Sequence, residues 1–235
     1  MTTLIKLFCI PHAGGMTSIY NEWKPIVGLN MELIPIELAG RGTRFLDEHY
    51  KTFDQAVDDV VAKILNHNKI EQKFAIYGHS MGAYIAYEAV QILNKLNDNR
   101  LVHLFVSGKG APNLTKKEFI SDWSDEELIK KIDELGGLHN RLKNNRELLN
   151  MFIPVIRNDY RIIETYNHNI KNKVETKMTV ISGKYDESIS MQEILGWKEY
   201  SHKEVDIFQI NGGHFFINEN AKEVIKIIKE KLLLK

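Results

Sequence analysis

Gly78-His79-Ser80-Met81-Gly82 has the G-x-S-x-G form in which a serine hydroxyl is made into a nucleophile. Lys73-Phe74-Ala75-Ile76-Tyr77 before it is short, apolar and partly aromatic like a buried strand, and Ala83 to Val90 after it has helical composition. A strand, a sharp turn and a helix put such a serine in strained backbone angles, so that its hydroxyl stands clear of the sheet. The glycines two before and two after let strand and helix approach without a Cβ clash.

A serine hydroxyl at neutral pH is a poor nucleophile. It needs a base within hydrogen-bond reach, and the base needs an acceptor that fixes its tautomer and stabilises its cation. On a sheet of this kind the three groups follow in the order Ser, Asp or Glu, His, each on a loop at the carboxyl edge. Asp186 follows the apolar run Lys177 to Ser182, and His214 follows Lys203 to Ile210, between two glycines and two phenylalanines. The other loop that can carry the acid, Ser107 to Asn113, holds no carboxylate, and Asp206 falls inside a strand. Of the nine histidines, His79 is locked beside the serine and points away from it, His12 sits on an earlier loop, and His202 precedes its strand. Ser80, Asp186 and His214 are therefore the expected catalytic residues. Taken alone, Asp186 also suits an ordinary turn.

An acyl-transfer site also needs two N–H groups aimed at the oxygen that becomes negative. One comes from the residue after the serine, here Met81, and the other from a glycine-rich loop after an earlier strand. Pro11-His12-Ala13-Gly14-Gly15 is that loop, and Ala13 or its neighbour is the candidate. The alternative is that the two glycines merely open the next helix.

The elements that must position these groups alternate. Strands are expected at Lys6 to Ile10, Met31 to Ile36, Lys73 to Tyr77, Leu101 to Val106, Lys177 to Ser182 and Lys203 to Ile210, and helices at Ser18 to Val27, Thr52 to Asn68, through the elbow to about Asn97, and Ala221 to Leu234. Alternation implies a mostly parallel sheet with helices on both faces, an α/β-hydrolase fold in one domain spanning 1–235. If the second strand packs outside the first and the third inside it, the order begins 2-1-3-4. Its switch point then falls between the strands that carry Ala13 and Ser80. From 114 to 150 the pattern becomes charged and helical. Ser124-Asp125-Glu126-Glu127 forms a capping box, Gly136-Gly137 a stop, and a second helix from about Asn145 meets Pro154 as a break or kink. Such an insertion can cover the serine as a lid, or simply be two surface helices.

Composition sets limits. Thirty-one basic residues balance thirty-one acidic ones, so no global field draws nucleic acid or an anionic membrane. Leu7 to Ile10 is too short for a signal core and Pro11 ends it, and no run reaches the ~18 apolar residues of a membrane span. The single cysteine, Cys9, lies in a strand-like run and suits a buried, inert thiol in a reducing cytoplasmic compartment. Leu38-Ala39-Gly40-Arg41-Gly42 lacks the third glycine of a dinucleotide fingerprint and reads as a tight turn. No H-E-x-x-H or paired-cysteine spacing supports a metal.

Together, Pro11-His12-Ala13-Gly14-Gly15, Leu38-Ala39-Gly40-Arg41-Gly42, the serine pentapeptide, Gly183-x-x-Asp186 and Gly212-Gly213-His214-Phe215-Phe216 resemble the type II thioesterases of nonribosomal peptide and polyketide synthesis, over essentially the whole chain. The family usually has proline where this chain has Ala39, which touches a turn and not the triad. The resemblance implies hydrolysis of acyl groups from the phosphopantetheine arm of acyl- or peptidyl-carrier proteins, with Ser80 as nucleophile, His214 as base and then acid, Asp186 orienting it, and the Met81 and Ala13 amides as the oxyanion hole. No cofactor is expected, phosphopantetheine entering as part of the substrate, and the expected state is a monomer. Lys116, Lys117, Lys130, Lys131, Arg141, Lys143 and Arg146 offer positive surface for an acidic carrier, and equally suit solvated helix faces. An oxygen-ester hydrolase or acyltransferase would use the same triad; a non-catalytic carrier-binding module would have no use for all three residues.

Overall fold

Short apolar runs alternating with amphipathic segments bury both kinds of element by layering helices over a sheet. The computed structural model has this arrangement and describes residues 4–67, 72–114, 119–138, 145–168 and 173–233. Six strands, β1 (Ile5–Ile10), β2 (Met31–Pro35), β3 (Phe74–His79), β4 (Leu101–Ser107), β5 (Met178–Gly183) and β6 (Val205–Ile210), lie in the order β2-β1-β3-β4-β5-β6. Every neighbouring pair is parallel. The register sets Ile10 of β1 beside Gly78 of β3, so the ends of these strands are level where the order reverses.

β1, β3 and β5 are buried at every position, which is why they read as continuous apolar runs. Alternation divides their side chains between two cores. Phe8, Ile10, Ile76, Leu104, Val106 and Val180 pack under α1 (Phe53–His67) and α2 (Met81–Lys95). Leu7, Cys9, Ala75, Tyr77, Phe105 and Ile181 pack on the other face with Tyr20, Trp23 and the inward side of the C-terminal helix Ala221–Leu233. α1 buries Phe53, Ala56, Val57, Val60, Val61 and Ile64, the three- and four-residue spacing of one apolar stripe. Truncating a side chain as enclosed as Ile76 costs about 2–5 kcal/mol. Cys9 has no exposed surface, and burial raises its thiol well above the ordinary value.

Two helices differ from expectation. The segment placed at Ser18 to Val27 is a shorter 3-10 helix, Thr17–Trp23, which stops before Pro25, a residue with no N–H and a ring that crowds the carbonyl four residues back. Pro154 does not end its helix. α4 runs without interruption from Arg146 to Glu164, since buried Leu149, Ile153, Val155 and Ile156 hold both sides of the proline in place.

α4 also packs against α3 (Asp125–Glu134), whose expected capping box at Ser124 and Glu127 is formed. Ile120, Leu128, Ile132, Leu138, Leu149, Ile153 and Ile156 make a third, smaller core between them. Within the insertion expected at 114–150, residues 115–118 and 139–144 lie outside the described residues, and with them Lys116, Lys117, Arg141 and Lys143.

His103 on β4 is 3% exposed, and its Nε2 lies 2.8 Å from Thr179 Oγ1 on β5. Burial is the largest influence on it; Lys231 and Lys177 act in the same direction and Asp206 opposes, leaving its pKa at about 4 instead of 6.5. Between these values the unfolded chain binds a proton that the folded chain refuses, so stability falls as pH falls through the window. His103→Gln, which cannot titrate, is expected to flatten the pH dependence of urea-unfolding free energy between pH 6.5 and 4 by up to about 1.4 kcal/mol per pH unit. An unchanged slope would refute this account of the acid sensitivity.

Candidate active site

β3 ends at His79 and α2 begins at Met81, leaving Ser80 alone in the turn with φ 54° and ψ −116°. An L-residue with a side chain rarely adopts such angles, and the surrounding packing enforces them. A Cβ on Gly78 would lie 2.0 Å from Gly82 O, and one on Gly82 would lie 2.3 Å from Ile10 O at the end of β1. Both glycines are therefore needed for α2 to start directly over the strand ends.

The loops after β5 and β6 are joined back to back. Lys184 N–H donates to Ile210 O at 2.7 Å and Tyr185 N–H to Gly212 O at 2.9 Å, while a Cβ on Gly183 would come within 2.2 Å of Gly213 O. That contact fixes the spacing of the two side chains that the loops carry. His214 Nδ1 is 2.7 Å from Asp186 Oδ2, and His214 Nε2 is 3.1 Å from Ser80 Oγ. The three residues expected from the sequence thus meet in one hydrogen-bonded chain.

Sequence reasoning missed a fourth member. Ser188 donates its hydroxyl to Asp186 Oδ1 at 2.5 Å and its N–H to the same oxygen at 3.1 Å. Burial alone would raise the Asp186 pKa, but the hydrogen bonds from His214 and Ser188 outweigh it and hold the carboxyl below its ordinary value. A carboxylate facing Nδ1 makes that nitrogen the donor and leaves Nε2 as the acceptor turned to Ser80, the tautomer a general base requires.

Met81 is the first residue of α2, where an N–H has no partner within the helix and the helix dipole favours negative charge. Across from it, Pro11 has no N–H, Gly14 N–H donates to Asp159 Oδ2 at 2.7 Å, and Gly15 N–H donates to His12 O at 2.9 Å. Within this loop the amides of His12 and Ala13 have no partner among the described residues, and Ala13 borders the same cavity as Ser80 and His214. The next helix is the 3-10 helix from Thr17, capped by Met16, and Gly14 and Gly15 stand just before it.

The rejected histidines are occupied otherwise. His79 Nδ1 is 3.0 Å from Ser107 Oγ, which accepts from Tyr77 O–H at 2.6 Å. Burial above all, then repulsion from His214 and His12, holds the His79 pKa well below the ordinary value. His12, packed edge to face on Phe215, is pushed down to about 3 by burial and by the His214 and Arg41 charges. Both stay neutral beside His214. His202 is exposed, and Asp206 pairs with Lys231 at 2.8 Å.

Ser80 and His214 line a cavity of about 740 Å³ together with Ile132, Leu138, Leu149, Phe152 and Ile156 from the insertion and α4. Gly137 lies against the ring of Phe215, next to the imidazole. Among the described residues no group of three or more His, Cys, Asp or Glu is placed to hold a metal ion. Of the basic residues expected to form a docking surface, Lys130 and Arg146 are exposed and reach Glu134 and Glu126 at 3.9 and 3.8 Å.

A family model described as thioesterase domain matches residues 5–232. The gramicidin S biosynthesis protein GrsT of Aneurinibacillus migulanus is 30% identical over 231 residues, covering 98% of this chain and 90% of that protein. The crystal structure of ClbQ from the colibactin nonribosomal peptide and polyketide pathway superposes with TM-score 0.91 at 27% identity, covering 98% of this chain and 97% of ClbQ. The type II thioesterase BorB from the borrelidin biosynthetic cluster superposes with TM-score 0.88 at 27% identity, covering 99% and 94%.

Removing the Ser188 hydroxyl leaves its N–H on Asp186 and deletes one charge-assisted hydrogen bond, about 1.4 kcal/mol. Ser188→Ala is expected to slow phosphonylation of Ser80 by a fluorophosphonate about 10-fold, against roughly 10⁴ for Asp186→Asn. Equal rates for Ser188→Ala and the wild type would exclude the hydroxyl from the relay.

Proposed function

Because the chain belongs to the thioesterase family and is a thioester hydrolase, we propose that it cleaves acyl groups from the phosphopantetheine arm of carrier proteins in nonribosomal peptide or polyketide assembly. The observation that carries this reading is the unbroken chain Ser80, His214, Asp186, with separations of 3.1 and 2.7 Å, at the floor of an acyl-sized cavity.

In the proposed mechanism His214 Nε2 takes the Ser80 proton as Oγ attacks the thioester carbonyl. Asp186 stabilises the imidazolium that forms. The carbonyl oxygen, now negative, is held by the Met81 and Ala13 amides. Collapse expels the thiolate, which takes the proton from His214 and leaves as the free thiol of the arm. A thiol of pKa ~8.5 is a far better leaving group than an amine, so the demand on the triad is to form and then hydrolyse the acyl-enzyme. Water, deprotonated by His214, attacks the acyl-Ser80 ester, and the same two amides hold the second oxyanion. The neutral His12 and His79 matter here, since a charged neighbour would repel the proton that His214 must carry.

The insertion is read as a lid, because its apolar residues roof the cavity and exclude water from the acyl chain. The enzyme is read as a cytoplasmic monomer without a cofactor. Among the described residues no helix is long and apolar enough to cross a membrane, and the buried Cys9 thiol suits a reducing compartment.

Ser80→Ala is expected to lower turnover of acyl-loaded carrier protein by at least ~10³ with unfolding temperature unchanged. Near-normal activity of this variant would end the mechanism. Wild-type kcat/KM for acyl-phosphopantetheinyl carrier should greatly exceed that for a simple oxygen ester of the same acyl group. The opposite ranking would make the chain a general ester hydrolase on the same triad.

A further inference from the structure

Arg41, the middle residue of Gly40-Arg41-Gly42, is 2% exposed and forms a two-pronged ion pair with Asp159 of α4. Nη1 is 2.5 Å from Oδ2 and Nη2 is 2.6 Å from Oδ1, with both side chains sealed from solvent. Replacing such a pair by apolar side chains of similar volume is often neutral or stabilising, so its place in the fold is not explained by stability. Its remaining contacts show where it acts. Asp159 Oδ2 also accepts Gly14 N–H at 2.7 Å, and Arg41 Nη1 reaches Gly15 O at 3.5 Å. On the same helix, Ile156 presses so closely on Gly14 that a Cβ there would lie 2.4 Å from Ile156 Cγ1, and Gly14 has φ 74°.

Apart from the Arg41 Nε–H donated to Ala39 O at 3.3 Å within its own turn, these contacts fall on the loop from Pro11 to Gly15. The carboxylate holds the Gly14 amide and the guanidinium draws in the Gly15 carbonyl, while Gly15 N–H turns back to His12 O. The loop is clamped at Gly14 and Gly15, and the Ala13 amide one residue earlier has no hydrogen-bond partner among the described residues and lies on the cavity that Ser80 also lines.

We propose that Arg41 and Asp159 form a positioning pair for the oxyanion hole, setting the Ala13 amide for the tetrahedral intermediate without touching the substrate. The inference rests on the acyl-enzyme reading given above for Ser80. A guanidinium fork suits this task, because two parallel bonds to one carboxylate fix its plane, and with it the oxygen facing Gly14. An ammonium in its place would keep the charge and lose the orientation.

The test compares wild type with Arg41→Lys, which retains the charge, and with the double variant Arg41→Met and Asp159→Leu, which removes both charges together. Three quantities are read: kcat and KM on an acyl thioester, the dissociation constant of an acyl trifluoromethyl ketone, and that of the matching unreactive thioether. Ser80 Oγ adds to the ketone carbon, its proton passes to His214, and the resulting oxyanion needs the hole; the thioether needs only the cavity. Loss of one well-placed oxyanion donor is worth about 10²- to 10³-fold in kcat. The double variant is expected to lose roughly that factor in kcat and in ketone affinity, with KM and thioether affinity within about 3-fold of wild type. Arg41→Lys is expected to show the same split at smaller size, and decides the matter should the double variant not fold. Unchanged kcat and ketone affinity in a folded variant overturn the proposal. So does an equal loss of thioether affinity, which marks collapse of the whole pocket. Ser80→Ala separates the two readings: if it is inactive while the pair variants are fully active, the triad stands and only the positioning role falls.

Discussion

The close approach of α2 to the end of β1 is the constraint on which the rest depends. Gly82 lies under the Ile10 carbonyl at a distance no side chain could share, and Gly78 lies equally close to Gly82. This contact forces Ser80 to a positive φ and sets Met81 at the start of a helix. It also brings the loop after β1 to the same edge, because β1 and β3 are neighbours ending at one level. The proposed nucleophile and both proposed oxyanion amides thus follow from one backbone crossing. The energy that holds the strained serine comes from the apolar cores on either face, where β1 and β3 are wholly buried.

The proposed acid and base are fixed by a second close contact, between Gly183 at the end of β5 and Gly213 in the loop after β6. Two backbone hydrogen bonds tie those loops together, so Asp186 and His214 are set by main chain, not by flexible side chains. The electrostatics then need only small adjustments. Ser188 and His214 keep Asp186 ionised, and burial keeps His12 and His79 uncharged. One proton therefore has one place to go.

Most of this was legible in the sequence because it is local. Ser80, Asp186 and His214 each follow an apolar run and carry glycine signatures, and alternation of elements implies the parallel sheet, whose order follows only conditionally and only as far as 2-1-3-4. What was hidden is what depends on contacts across the chain. Asp159 is an acid in a helix, and nothing near it announces a partner 118 residues away. Ser188 looked like one more polar residue in a loop. The segment read as a helix at Ser18 to Val27 is wound as a 3-10 helix that stops before Pro25, whereas α4 continues through Pro154, packing on both sides preventing the break that the proline alone suggests. Narrowing the oxyanion loop to His12 and Ala13 needed the amide inventory, which only coordinates supply.

The cluster of Ile120, Leu128, Ile132, Leu138, Leu149, Ile153 and Ile156 is separate from both cores that flank the sheet. Ile132, Leu138 and Leu149 belong to this cluster and also line the cavity, so a change in their size reshapes that space while the two sheet cores stay as they are. Ile156 is the exception, since it belongs to the cluster, lines the cavity and also rests on Gly14. At that position selectivity and reactivity cannot be tuned independently, and a lineage changing its substrate must hold it fixed or recalibrate the loop beneath.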